Sequence, residues 1–398
     1  MAPHIFRIKT VWWLGHVPHA LIIRSLSPGH LLVFPAWLPR QLSCCHGQAA
    51  AGDGNGRGGG VTAIYSLGDS ITDTGNLVKE APPGMFETIK HFPYGVTFGR
   101  PTGRCSDGLL MIDFLAQDMG LPFLNPFLGK NKSFDHGVNF AVAGATAMEP
   151  ADQLNMSMPV PFAANSLKLQ LRWFKDFLKD TEEATEFSGF GEIGGNDYNY
   201  AFFANRSVSE VEKLLPGVVR TIIDAAKEVL DMGASRVIVP GNFPIGCVPG
   251  YLAMKAGSPD YDSMGCLREM NLFAAKHNER LQRAVADLRS SYPNASVAYA
   301  DYYNSFLQLL NNASSLGFDA ASTRKACCGA GTGEYNFDWT RMCGAEGTSA
   351  CAEPSKYVSW DGIHMTQAAY KAMSRLIYHG KYLEPQILSF PEKNNGQY

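Results

Sequence analysis

The 398-residue chain contains no uninterrupted apolar run of 18 residues, so its sequence offers no membrane-spanning helix. It has no long basic stretch either: 34 lysines and arginines stand against 37 acidic residues, a formal net charge of −3. Nucleic-acid binding needs a concentrated basic face, so that balance argues against such a partner. The six cysteines from Cys247 to Cys351 lack the Cys-x-x-Cys or Cys/His spacing of a zinc site. No Gly-x-Ser-x-Gly elbow surrounds Ser70, which excludes the usual nucleophile turn of the α/β-hydrolases. Internal repeats are absent, and nothing marks a second folded domain.

What is present is enough apolar material, 45% of residues, for a substantial core. The first sixty residues differ from the rest. Leu31–Leu38 resembles a secretory apolar core and Gln48–Ala51 supplies small residues for cleavage, yet Pro28, Pro35 and Pro39 interrupt the segment. Residues 1–60 read equally as a targeting segment or as an ill-defined extension, ending in the Gly-rich linker Gly52–Gly60. The hydrolase-like domain is expected over 61–388, with a short tail over 389–398.

Within that domain strand and helix patterns alternate. Strands are expected over Val61–Leu67, Phe187–Ile193, Arg236–Pro240 and Val297–Tyr302. Helices are expected over Leu109–Met119, Val208–Met232 with a kink at Pro216, Leu267–Leu288 and Thr366–Tyr378. Alternation of this kind predicts βαβ units and a parallel sheet covered on both faces, with the site beyond the C-terminal strand ends.

The chemistry-bearing segments fall at such ends. Ser70 follows the first strand in Gly68-Asp69-Ser70-Ile71, at a turn whose backbone N–H groups can stabilise negative charge. Near the other end, Trp360-Asp361-Gly362-Ile363-His364 sets a carboxylate three residues before a histidine. Together they supply nucleophile, base and orienter. Asp361 also precedes a helical pattern, and as a mere helix cap it would leave serine and histidine to act alone. Two further polar turns, Asn139–Thr146 and Ile193–Asp197, offer Gly144 N–H and the Asn196 amide. With Ser70 N–H these would make a three-donor oxyanion hole. His91, His136, His277 and His379 have no carboxylate three residues earlier and read as ordinary surface or core residues.

Taken in order, these segments resemble the blocks of the SGNH hydrolases, and specifically the plant GDSL esterase/lipase family. Block I matches Ser70, block II Gly144, block III Asn196, and the Asp-x-x-His of block V matches Asp361 and His364. Resemblance runs from about Val61 to Leu388. The stretches Cys327-Cys328-Gly329 and Lys356–His364 also look like the plant branch, and Gly-Asp-Ser-Ile replaces Gly-Asp-Ser-Leu without changing the chemistry. The resemblance implies a three-layer α/β/α sandwich around a mainly parallel sheet, and hydrolysis of carboxylic esters without a cofactor. Short-acyl or acetyl esters, of wall polysaccharide or specialised metabolites, are the expected substrates. Lipase or acyltransferase action on longer chains is the alternative, and a non-catalytic binding protein is the alternative of another class.

Five Asn-x-Ser sequons, at Asn131, Asn155, Asn205, Asn294 and Asn312, point to a secreted glycoprotein. The cysteines Cys247, Cys266, Cys327, Cys328, Cys343 and Cys351 point to disulfides. Six cysteines allow fifteen pairings; proximity favours Cys247 with Cys266 and two bridges among the other four. Cys105 is left over as a small buried residue near the site.

Overall fold

The computed structural model describes residues 61–81, 86–130, 132–158, 165–181 and 188–391. The readings made for residues 1–60, for Asn131 and for the end of the tail lie outside these. Six strands form the main sheet: β1 Ile64–Leu67, β2 Gly137–Asn139, β3 Ser188–Phe190, β4 Arg236–Pro240, β5 Ser296–Ala300 and β8 Leu383–Glu384. Their spatial order is β2-β1-β3-β4-β5-β8, parallel throughout except for the antiparallel edge β8. A separate two-stranded ladder joins β6 Cys328–Gly329 to β7 Ser349–Ala350.

Side-chain alternation explains how the sheet is covered, because neighbouring residues of a strand face opposite ways. Tyr65, Leu67, Val237, Val239, Val297 and Tyr299 enter one buried cluster. Ile64, Ile238, Ala298 and Ala300 enter a second. Helices α2 Leu167–Thr181, α4 Leu215–Asp231 and α5 Arg268–Ser291 contribute to the first cluster. Three others feed the second: α1 Met111–Asp118, α6 Tyr302–Asn311 and α7 Gln367–Ser374. The fold is therefore mixed α/β, with both faces of a mostly parallel sheet buried, as the hydrophobic strand runs require.

Strand order places the site. β1 pairs with β2 on one side and β3 on the other. The chain thus leaves β1 in one direction and later crosses to its other flank. That reversal opens a crevice beyond the carboxyl end of β1, where Ser70 sits.

Several expected bounds shift for local physical reasons. The helix expected over Val208–Met232 is interrupted by a 3-10 turn at Glu212–Leu214. Pro216 then stands in the first turn of α4, where a missing N–H leaves no bond unmade, so no kink is needed. Ser207 caps the short helix before it, accepting from Glu210 N. Tyr302 opens α6 under the Asp301 cap instead of ending β5. The last helix ends at Ser374 and continues as a π-helical turn over Arg375–His379. β2, only three residues long, was not among the expected strands.

Candidate active site

The turn after β1 is built around buried carboxylates. Asp69 Oδ1 accepts from Ile71 N (3.0 Å). The oxygens of Asp73 accept from the backbone N–H groups of Gly75, Asn76, Leu77 and Ala143, between 2.6 and 3.0 Å. One side chain thereby fixes both the segment after Ser70 and the residue before Gly144. Gln170 from α2 completes the support, exchanging two 2.8 Å bonds with Gly68. Neither Asp73 nor Gln170 was singled out from sequence; the Asp-x-Gly-Asn string at 73–76 is the turn signal that marks Asp73.

His364 reaches Ser70 from the far end of the chain. Its Nε2 lies 2.8 Å from Ser70 Oγ and its Nδ1 lies 2.7 Å from Asp361 Oδ2. Asp361 Oδ1 also accepts from the N–H of Ile363 (3.0 Å) and His364 (2.8 Å), closing the turn that carries both residues. Burial would raise the Asp361 carboxyl, but the His364 charge and these N–H donors hold it below the usual carboxylate range. Asp361 is not the cap of α7. That role falls to Thr366, whose side chain accepts from Ala369 N. The Tyr94 hydroxyl donates to Asp361 Oδ2 at 2.8 Å, a partner the sequence did not disclose.

Gly144 has φ of 82°, the left-handed region that suits glycine, and Tyr200 Oη donates to its carbonyl at 2.9 Å. Among the described residues no acceptor takes the N–H of Ser70 or Gly144. Asn196, at the start of α3 Gly195–Phe203, faces the same cavity. Its Nδ2 donates to Asp69 Oδ2 (3.1 Å) and to Ala145 O (3.0 Å). Asp69 in turn lies against Glu192, whose Oε1 accepts from Gly195 N (2.9 Å). Burial, then the neighbouring Glu192 charge, pushes the Asp69 carboxyl well up, and burial raises Glu192. The pair therefore holds a proton between them more readily than two isolated carboxylates would.

The other candidate histidines, His91, His136, His277 and His379, do not line the cavity. His277 is buried against the Tyr198 hydroxyl (2.8 Å), and burial lowers it to about 4. His379 meets Asp118 at 2.7 Å and His136 meets Thr62 O at 3.1 Å.

Beside Ser70 and His364 opens a cavity of about 640 Å3. Phe86, Phe203, Phe243, Met254, Trp339 and Met342 contribute to its walls, and buried Cys105 reaches it as well. Three disulfides, Cys247–Cys266, Cys327–Cys351 and Cys328–Cys343, tie the surrounding segments. The N–H groups of Cys327 and Cys328 donate to Ser359 O (3.0 Å) and Trp360 O (2.7 Å). The doubly bridged segment is thus bonded directly to the strand-like stretch that leads into Asp361. Of the sequons, Asn155, Asn205 and Asn294 are exposed and Asn312 is half-buried.

Ser70, His364 and Asp361 stand in sequence of contact at the switch point of a parallel sheet, a geometry that serine hydrolase sites share. The family model for the GDSL-like lipase/acylhydrolases matches residues 64–377, and the chain belongs to that family. It is 44% identical to an acetylajmalan esterase of Rauvolfia serpentina over 330 residues, 80% of this chain and 85% of the relative. It is 41% identical to a sinapine esterase of Brassica napus over 338 residues, 81% of this chain and 86% of the relative. A GDSL esterase/lipase of Arabidopsis thaliana is 44% identical over 338 residues, covering 81% and 85%. The protein is a carboxylic ester hydrolase of GDSL type.

Proposed function

We propose that this enzyme cleaves a small-molecule carboxylic ester through an acyl-enzyme on Ser70. The observation that carries the reading is the contact of His364 Nε2 with Ser70 Oγ at 2.8 Å, with Asp361 behind it. His364 takes the Ser70 proton as Oγ attacks the ester carbonyl. Asp361 orients the imidazole and balances its charge. The alcohol leaves with a proton from His364, and water, activated by the same imidazole, releases the acid. The oxyanion is held by the N–H groups of Ser70 and Gly144, each contributing about 3 kcal/mol to lowering the barrier. Asn196 is the third donor, and it reaches the oxyanion by loosening its 3.1 Å bond to Asp69.

Among the expected esters, the aromatic and methionine walls of the cavity favour one carried on a compact apolar skeleton over acetylated polysaccharide. A short acyl group, on a specialised metabolite, suits that volume. The described fold is read as the three-layer α/β/α sandwich of the SGNH hydrolases, occupying 61–388, on the support of the two clusters that flank the sheet. Three disulfides and exposed sequons support secretion as a glycoprotein, with residues 1–60 carrying the targeting segment.

The test is a panel of p-nitrophenyl esters, acetyl to long-chain, with acetylated xylan, offered to wild type and Ser70→Ala. Wild type should turn over the short esters fastest. Ser70→Ala should lose about 10⁴-fold or more while keeping its fold. Retained turnover in folded Ser70→Ala removes the nucleophile assignment, and a clear preference for xylan or for long chains removes the substrate assignment.

A further inference from the structure

Asp361 Oδ2 serves two donors at once. His364 Nδ1 stands 2.7 Å away and Tyr94 Oη stands 2.8 Å away. With Oδ1 occupied by two backbone N–H groups, the Tyr94 hydroxyl is the fourth donor on this carboxylate. Tyr94 is only 3% exposed, and its ring meets that of Trp360, the residue before Asp361, edge-on at 6.0 Å. The loop that presents it is tied to the segment following His364. Gly95 N donates to Ser106 O at 3.0 Å, and Ser106 Oγ donates to Met365 O at 3.1 Å. Asp107 accepts from Thr97 N through its carbonyl at 2.7 Å, and from Gln367 N through its carboxylate at 2.7 Å. A phenol held this firmly has little freedom to follow any other partner.

We propose that Tyr94 is a positioning residue that sets the strength of the Asp361–His364 contact, and through it the pH range in which His364 works as a base. The inference rests on the reading of His364 as that base. A hydroxyl sharing Oδ2 draws negative charge away from the oxygen that faces the imidazole. The carboxylate therefore stabilises the protonated imidazole less than it would alone.

The titratable groups around Asp361 are His364 on its own turn, Tyr94 and Cys105 from the 94–107 loop, and Tyr370 from α7, while Asp69 from the β1 turn lines the same cavity. Burial first, then nearby carboxylate charge, holds Tyr94, Cys105 and Asp69 well above their ordinary values. Burial does the same for Tyr370, with Cys105 and Asp361 adding to it. The phenols and the thiol therefore stay neutral at working pH, leaving Asp361 as the negative charge against His364.

Tyr94→Phe keeps the ring packed on Trp360 and removes only the hydroxyl. The acidic limb of its kcat/KM profile should move to higher pH by about 0.5–1 unit, with KM within about twofold of wild type. The low-field proton resonance of His364 Nδ1–H should move with it. Replacing Tyr94 by 3-fluorotyrosine, a stronger donor of the same shape, should move the limb the opposite way, and it keeps the test available if the phenylalanine variant folds poorly. An unmoved limb and resonance in both variants would reduce Tyr94 to a packing residue. The parent reading fails separately: active Ser70→Ala removes it whatever the Tyr94 variants do.

Discussion

Gly362 and Phe337 are packed so closely that a methyl group on Gly362 would overlap the Phe337 ring. Gly362 stands between Asp361 and His364, and Phe337 sits in the loop closed by Cys328–Cys343. Trp339, from the same loop, meets Phe337 edge-on at 4.7 Å and Phe203 at 4.1 Å. The turn carrying Asp361 and His364 therefore rests on a disulfide-closed loop that also forms a wall of the cavity beside Ser70.

Gly362→Ala should accordingly be costly in two ways. Its φ of 95° disfavours a side chain by about 1–3 kcal/mol, and the overlap with Phe337 adds a similar amount. Thermal unfolding should fall by several degrees and kcat by tenfold or more. Wild-type stability and activity in this variant would show that the turn does not depend on the Phe337 contact.

Removing the bridge in Cys328→Ser/Cys343→Ser opens a loop with a sequence separation of 15 residues. Loop-closure entropy sets the expected loss near 3 kcal/mol, measured by urea unfolding. Activity should be lost at lower urea than bulk secondary structure, because the Asp361 turn is bonded to Cys327 and Cys328 while Ser70 is not. Coincident loss of both signals would contradict that order.

Gly144→Ala tests the proposed oxyanion role of the Gly144 turn. A Cβ there meets Tyr200 Oη at 3.0 Å and the residue carries φ of 82°, so the backbone must shift to admit it. The expected outcome is a kcat reduced by about 10²-fold with KM little changed, since the N–H acts on the oxyanion and not on the bound ester. A change confined to KM would place Gly144 in substrate binding instead.

His277 predicts an acid-sensitive component of stability. Burial keeps it neutral in the folded state down to about 4, whereas the unfolded chain takes up a proton below about 6.5. Its contribution is therefore complete above about pH 6.5 and is lost as pH falls toward 4, amounting to about 3 kcal/mol. Urea unfolding across pH 7 to 4 should show a flatter slope for His277→Gln than for wild type, even if that variant is less stable throughout. Parallel slopes would mean that His277 does not stay neutral.

Much of the site was legible from residue order. Gly68-Asp69-Ser70 after an apolar run, and Asp361 three residues before His364, carried enough chemistry to nominate the three residues that the fold then brings into contact. Cys247–Cys266 followed from proximity, whereas Cys327–Cys351 and Cys328–Cys343 needed the fold to choose among pairings. Tyr94 and Glu192 were invisible because a tyrosine after proline and a glutamate before a glycine turn carry no local signal. Each acquires meaning only from the carboxylate that packs against it. Asn196 was expected as an oxyanion donor, and its amide also serves Asp69 and Ala145, a competition that no linear pattern encodes.

The sequence by itself determined the α/β class, the candidacy of Ser70, Asp361 and His364 as site residues, and the disulfide chemistry of the cysteines. These depend on local periodicity, residue type and short spacings. Tertiary structure alone decided the strand order β2-β1-β3-β4-β5-β8, and with it the crevice at the end of β1. It also decided that His364 would meet Ser70 across 294 positions of sequence, and that Tyr94 would lean on Asp361 across 267. Such contacts arise because apolar faces must be buried together, and burial is indifferent to distance along the chain.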